Sequence, residues 1–351
     1  MKKRILIAPL NWGLGHATRC IPIIKALIAH QFEPVIASDG DALLLLQKEF
    51  PELESLELPS YEITYPKKGK RFKLKMLQSS PKMVKAIKAE KKVIASIIET
   101  HQIDGIISDN RLGAHNKKVP CVFVTHQLQV LSGNTTWLST KLHQKIIKRF
   151  HECWVPDNLG DINLSGKLGH THVSEIPIKY IGPLSRFSKK EAPIKYDVMV
   201  LLSGPEPQRT IVEKILFNEF KNYSGTVIFI RGTIDQEQII SEENNMIIYN
   251  FMTSSELESA INESRLIVSR SGYTTVMDLT KLSKTAFFIP TPGQFEQEYL
   301  AKRLTKLGYV PSCSQEAFNL EKLKNISDYK GLEAMDYELN YKKLFRLFEG
   351  K

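Results

Sequence analysis

The stretch LNWGLGHATR, Leu10–Arg19, follows the short apolar run RILIAP, 4–9. It sets Gly13 and Gly15 between an expected strand and an expected helix, and it puts His16 at the start of that helix. Strand, glycine turn and helix in that order form the opening unit of a parallel α/β sheet. The fold class therefore turns on whether the order repeats along the chain.

It does. Val- and Ile-rich runs with polar residues only at their ends are RILIAPL (4–10), EPVIAS (33–38), LESLEL (53–58), IDGIISD (103–109), PCVFVTH (120–126) and ECWVP (152–156). Helical patterns lie between them, such as ATRCIPIIKALIAH (17–30), with Ile21, Ile24, Leu27 and Ile28 on one face. Strands apolar on both faces belong to a parallel sheet covered by helices. The segment KYIGPLSRFSKKEAPIKY (179–196) carries Gly182, Pro183, Pro193 and a cluster of charges, and reads as a linker. A second set follows: DVMVLLSG (197–204), GTVIFIRG (225–232), NMIIYNF (245–251), LIVSRSG (266–272) and TAFFIP (285–290). The expectation is an α/β protein of two Rossmann-like doubly wound domains, 1–185 and 193–335, facing a cleft, with a C-terminal helix over 336–351. That helix has a stripe of Leu339, Leu344 and Leu347 with Tyr341 and Phe345, and the pattern leaves open which domain it packs on.

The 351 residues, 42% of them hydrophobic, are enough for two cores. No apolar run reaches the roughly 18–20 residues that span a bilayer. The N-terminus MKKRILIAPLNWG lacks a signal-peptide cleavage site, so a cytoplasmic protein is expected. Cys20, Cys121, Cys153 and Cys313 are widely spaced, which argues against a disulfide framework or a zinc knuckle. The formal charge of +10 is concentrated. Residues 66–92 hold eleven Lys or Arg and one acid, Glu90, interleaved with Phe72, Leu74, Met76, Leu77, Met83, Val84 and Ile87. Such a stretch suits an anionic membrane surface or an anionic substrate; a solvated helix face beside a loop is the plain alternative. Nucleic acid is not expected as a partner, because aromatics are absent beyond Phe72 and no binding module is present.

Ligands of open α/β sheets bind at the carboxyl ends of strands, and polar clusters follow the expected strands here. In the opening stretch Thr18 stands where a dinucleotide fingerprint has its third glycine, which weakens that reading. His16 lies at the positive end of a helix dipole, which favours the neutral imidazole that a general base requires. Arg19, one turn on, suits an anion or an acidic partner. SDNR (108–111) and THQLQ (125–129) add Asp109, Arg111, His126 and Gln127 on the same side, with strand-end capping as the alternative. In the second half LLSGPEPQR (201–209) offers Ser203, Gly204 and Arg209 at a strand-to-helix turn where backbone N–H groups can take a phosphate. VSRSGYTTVMDL (268–279) offers Arg270, Ser271 and Gly272, and then Asp278, whose carboxylate suits a ribose diol. IPTPGQFEQEYLA (289–301) sets Gln294, Glu296 and Gln297 at another helix start, with groups suited to hexose hydroxyls.

Taken together, the second half resembles the C-terminal domain of GT-B glycosyltransferases. It is most similar to family 28, which includes the peptidoglycan enzyme adding GlcNAc to an undecaprenyl-linked muramyl peptide. RSGYTTVMDL (270–279) resembles the family's RSG…T…E helix, which places Thr275 in the site and gives Asp278 the ribose of UDP. PTPGQFEQEYLA (290–301) resembles the segment that contacts the donor sugar, with Gln297 at the matching position, and SGPEPQR (203–209) resembles the phosphate-side turn. GLGHATR resembles the glycine-rich N-terminal loop, which implies an acceptor side of Asn11, Gly13, Gly15 and Arg19 with His16 as the base. The resemblance implies transfer of a hexosyl group from a nucleotide sugar, UDP-linked, to a hydroxyl acceptor such as a lipid or lipid-linked glycan. The enzyme would be peripheral at the inner membrane face if 66–92 binds there. No cofactor is expected, since the nucleotide sugar is itself a substrate, and no essential metal, on the reading that no Asp-x-Asp pair stands in a strand-end loop. A UDP-sugar hydrolase of the same fold and a non-catalytic nucleotide-binding protein are the alternatives, and a nicotinamide-dependent oxidoreductase comes last.

Overall fold

The computed structural model describes residues 2–61, 72–171, 175–204, 206–233, 237–333 and 339–350, with the side chains of 72–81 left out. The described chain forms two compact units. One holds 2–61, 73–184 and the C-terminal 339–350; the other holds 185–333.

The first unit is built on seven parallel strands in the order β3-β2-β1-β4-β5-β6-β7. These are β1 (Arg4–Pro9), β2 (Glu33–Ser38), β3 (Ser55–Glu57), β4 (Gly105–Asp109), β5 (Cys121–Val124), β6 (Glu152–Val155) and β7 (Ile178–Tyr180). Helices α1 (Gly15–Ala29), α2 (Gly40–Glu49), α3 (Phe72–Thr100) and α4 (Thr136–Ile147) connect them. All of β4, β5 and β6 is buried, which is why these runs read as continuously apolar. One face of the sheet packs Leu6, Val35, Ile106 and Phe123 against Ile94, Ile97 and Ile98 of α3. The order reverses between β1 and β4, so these two carboxyl ends flank the crevice where such sheets take ligands.

The second unit has six strands in the order β10-β11-β9-β8-β12-β13. They are β8 (Tyr196–Leu201), β9 (Val227–Ile230), β10 (Ile240–Glu243), β11 (Met246–Tyr249), β12 (Ser264–Ser269) and β13 (Thr285–Phe288). The pairings are parallel except β10 with β11. Helices α5 (Gln208–Phe220), α6 (Ser254–Asn262), α7 (Tyr273–Lys281) and α8 (Phe295–Lys306) connect them. A full capping box between Thr253 and Glu256 starts α6. Here the order reverses between β8 and β12.

The expected single C-terminal helix is two short ones, α9 (Tyr341–Leu344) and α10 (Arg346–Glu349). The first unit supplies their surface: Phe345 lies against Phe32 and Trp154, and Lys3 donates a 2.7 Å hydrogen bond to the Phe348 carbonyl. The expected linker over 179–196 begins too early, because Ile178–Tyr180 pairs with β6. Part of the basic stretch, 66–71, lies outside the described residues, as do the side chains of 72–81.

Candidate functional site

Pro9 and Asp109 end β1 and β4, paired in register at the first unit's reversal point. Gly13 adopts φ +76°, open to glycine without strain, and turns the chain from β1 into α1. Gly15 opens α1, so His16 and Arg19 stand one turn apart on a single helix face. That face meets Asp109. His16 Nδ1 lies 2.8 Å from Asp109 Oδ1, and Arg19 grips both carboxylate oxygens. Arg19 also reaches His126 Nδ1, just beyond β5, at 3.3 Å, and His16 Nδ1 at 2.8 Å. Burial would raise the Asp109 pKa, but Arg19 and His16 outweigh it and hold it at about 2. Burial, aided by Arg19 and opposed by Asp109, lowers His16 below its usual 6.5, so the imidazole is neutral at pH 7. The ionised Asp109 favours the tautomer with the proton on Nδ1, in which Arg19 Nη2 is a close neighbour of that atom and not its hydrogen-bond donor. Nε2 then carries the lone pair and makes no hydrogen bond to a described residue.

The neighbouring expected residues divide. Gln127 follows the same strand end, its N–H bonded to Thr125 Oγ1. Arg111 is fully buried: it binds Glu90, Asp39 Oδ1 at 2.7 Å and the Pro59 carbonyl at 2.6 Å. Its charge is committed inside the domain. Asp39 in turn accepts from Asn11 Nδ2 at 3.3 Å, and Asn11 Oδ1 accepts from the Ala42 N–H, so Asn11 ties the glycine loop to α2. Asp39 and Asp41 form an Asp-x-Asp pair directly after β2, which corrects the expectation that no such pair follows a strand. Asp39 is taken by Arg111 and Asp41 is exposed, and no cluster of three or more metal-ligating side chains occurs among the described residues. A second Asp–His pair, also missed, lies beyond β6: buried Asp157 accepts from the Leu164 and Ser165 N–H groups and lies 3.1 Å from His170 Nε2.

In the second unit the turns after β8 and β12 meet at its reversal point. Ser203 and Gly204, with φ +105° at the glycine, precede α5, whose N-cap is Pro207. Arg209 is buried between Glu206 and Glu213. Arg270 is buried as well, donating to the Ile289, Pro290 and Gln208 carbonyls and to Gln315 Oε1. It pins the turn after β12 to α5 and to the end of β13, and burial lowers its pKa to about 10. Ser271 Oγ donates to the Gln297 carbonyl, and Gln297 Oε1 accepts from the Thr291 N–H at 2.8 Å. Gly272 caps α7; a side chain there would meet Thr275 Oγ1 and Gln297 Nε2. Gln294 caps α8, with Glu296 in its first turn. The structure thus gathers Ser271, Gly272, Thr275 and Gln297. Asp278 is half-buried on α7 and accepts a 2.6 Å bond from Ser185, a residue beyond sequence reasoning because 93 positions separate the two. Burial raises the Asp278 pKa to about 6 against the pull of Arg186 and Ser185.

Residues 199–338 match the glycosyltransferase family 28 C-terminal domain. The chain is 25% identical over 240 residues to UDP-N-acetylglucosamine–N-acetylmuramyl-(pentapeptide) pyrophosphoryl-undecaprenol N-acetylglucosamine transferase of Buchnera aphidicola, covering 67% of this chain and 61% of that protein. It therefore spans about six-tenths of that relative's length. The protein of the same name from Clostridium perfringens is 24% identical over 346 residues, 93% of this chain and 90% of the relative. Among solved structures, spinosyn forosaminyltransferase superposes with a TM-score of 0.60 at 14% identity, over 100% of this chain and 91% of that one. At that identity the likeness is one of fold.

Proposed function

We propose that this chain, whose residues 199–338 match the family 28 C-terminal domain, is a GT-B glycosyltransferase that moves a hexosyl group from a UDP-sugar to a hydroxyl acceptor. The observation that carries this reading is the His16–Asp109 pair, a neutral imidazole backed by an ionised carboxylate, with Nε2 bonded to no described residue. Nε2 takes the proton of the acceptor hydroxyl. That oxygen attacks the anomeric carbon, the bond from this carbon to the phosphate oxygen breaks, and UDP leaves with the electron pair. Asp109 stabilises the imidazolium, and Arg19 keeps Asp109 ionised. On the donor side Asp278 accepts from the ribose hydroxyls, Thr275 and Gln297 border the sugar, and the N–H groups at the starts of α5 and α7 receive the diphosphate. The Buchnera and Clostridium relatives carry a UDP-sugar in their names, which supports the choice of nucleotide.

The acceptor is a lipid or lipid-linked glycan, met by a cytoplasmic enzyme at an anionic membrane surface. The basic stretch 66–92 supports this, and so does α4. Trp137, Leu138, Lys141, Leu142 and Lys145 are its exposed residues, spaced along a single face of the helix. No described helix is long and apolar enough to cross a membrane.

The test begins with thermal unfolding against UDP, GDP, CMP and TDP. A ligand at ~100 times its Kd adds about 2.7 kcal/mol, so UDP alone should raise the melting temperature. His16→Ala should keep that rise and lose about 10²–10⁴ in turnover. Full turnover in the variant would refute the base. Sugar release without an acceptor at the full rate would make the enzyme a hydrolase, and no rise with any nucleotide would make the donor site vestigial.

A further inference from the structure

Three arginines follow strands of the second unit at the carboxyl edge, and they differ in what their guanidinium groups can reach. Arg270 is 2% exposed and binds backbone carbonyls. The Arg209 side chain is 9% exposed and lies between two carboxylates. Arg231, the first residue after β9, has a side chain 49% exposed. Its Nε donates to Glu213 Oε1 at 2.6 Å, and its Nη2 shares that oxygen, while Nη1 makes no hydrogen bond to a described residue.

The base of Arg231 is locked to the turn after β8. The Leu202 N–H donates to the Ile230 carbonyl at 3.0 Å, and Arg209 Nη1 donates to the Arg231 carbonyl at 3.1 Å. Gly232 takes φ +67°, and a Cβ on it would collide with the Leu202 carbonyl. Only glycine permits this approach, which sets Arg231 beside Ser203 and Gly204. Glu213 Oε1 holds Arg231 while Oε2 holds Arg209, and Glu206 holds Arg209 from its other side, so the exposed guanidinium is fixed in its aim and the buried one is enclosed.

We infer that Arg231 supplies the positive charge that binds the donor's diphosphate, and that Arg209 is a structural partner of Glu213. The inference rests on the donor-side reading of this domain. An open, oriented guanidinium beside a phosphate-accepting turn forms charge-assisted, two-pronged hydrogen bonds to phosphate oxygens.

The experiment is calorimetric titration of the full chain with UDP, uridine and inorganic pyrophosphate, at two salt concentrations, for the wild type, Arg231→Gln and Arg231→Lys. Melting temperatures are recorded for each. Arg231→Gln should weaken UDP by about tenfold or more, as loss of a charge-assisted pair does, with uridine and the melting temperature nearly unchanged. Arg231→Lys should recover part of the loss as a point charge, and the salt dependence of UDP binding should flatten only in the glutamine variant. Equal UDP affinity in wild type and Arg231→Gln overturns the inference and leaves the donor site standing. So does an equal fall for UDP and uridine in both variants. A wild type that binds no nucleoside diphosphate, with GDP, CDP and TDP also tried, overturns the donor-side reading and this inference with it.

Discussion

Burial keeps the Asp278 carboxyl half protonated near pH 6, well above its ordinary 3.8. The folded chain therefore holds a proton that the unfolded chain releases. The stabilisation this brings is complete below pH 3.8 and is lost as pH rises through 6. Above that, the folded protein carries a carboxylate its surroundings disfavour. A carboxylate poised in this way gains most when hydroxyl donors arrive, as a ribose diol would provide. Asp278→Asn is accordingly expected to melt a few degrees higher than wild type at pH 8, by about 2–4 °C per kcal/mol in a chain this size, and no higher at pH 4. The same variant should lose most of its UDP-induced rise. Melting curves over pH, with and without UDP, check both; a variant equally stable at pH 8 would mean that the carboxylate is well solvated.

At the scale of elements, α4 carries the clearest surface signal. Trp137 is 72% exposed, with Lys141 Nζ 5.2 Å from its ring centre. Trp137→Gln with Leu142→Gln should cut co-sedimentation with anionic vesicles severalfold, leave zwitterionic vesicles unaffected and spare UDP binding. Unchanged sedimentation would place any membrane contact elsewhere. The sequence announces such elements unevenly. The central strands were legible because burial on both faces removes polar residues: β2 was read at its observed bounds, and β4 and β6 within two residues. The strands missed are edges. All of β7 is half-buried and three residues long, and all four residues of β10, ISEE, are exposed. Neither needs an apolar signature. Site residues were legible by type and by position after strands, but their partners were not. Nothing local tells that Arg111 finds Glu90 and Asp39 while Arg19 finds Asp109, because strand order, not spacing, decides which ends meet.

Across the whole molecule the first domain is discontinuous in sequence. Leu344, Phe345 and Phe348 are buried in it, and a side chain at Gly105 would collide with the Phe348 ring. Burying each aromatic contributes about 1.5–3 kcal/mol. A chain ending at residue 336 should therefore show a lowered transition for the first domain, an unchanged one for the second, and an intact response to UDP. Calorimetry resolves the two transitions; a uniform fall in both would show that the domains unfold as one. The packing also bears on how the protein is made. Residues 341–349 leave the ribosome after every strand of both sheets. The second domain has all its strands by residue 288, whereas the first, begun earlier, waits for residues 341–349 to fill its last apolar gap. Birth order and completion order are thus reversed, and the apolar gap of the first domain stays uncovered until residues 341–349 have been made.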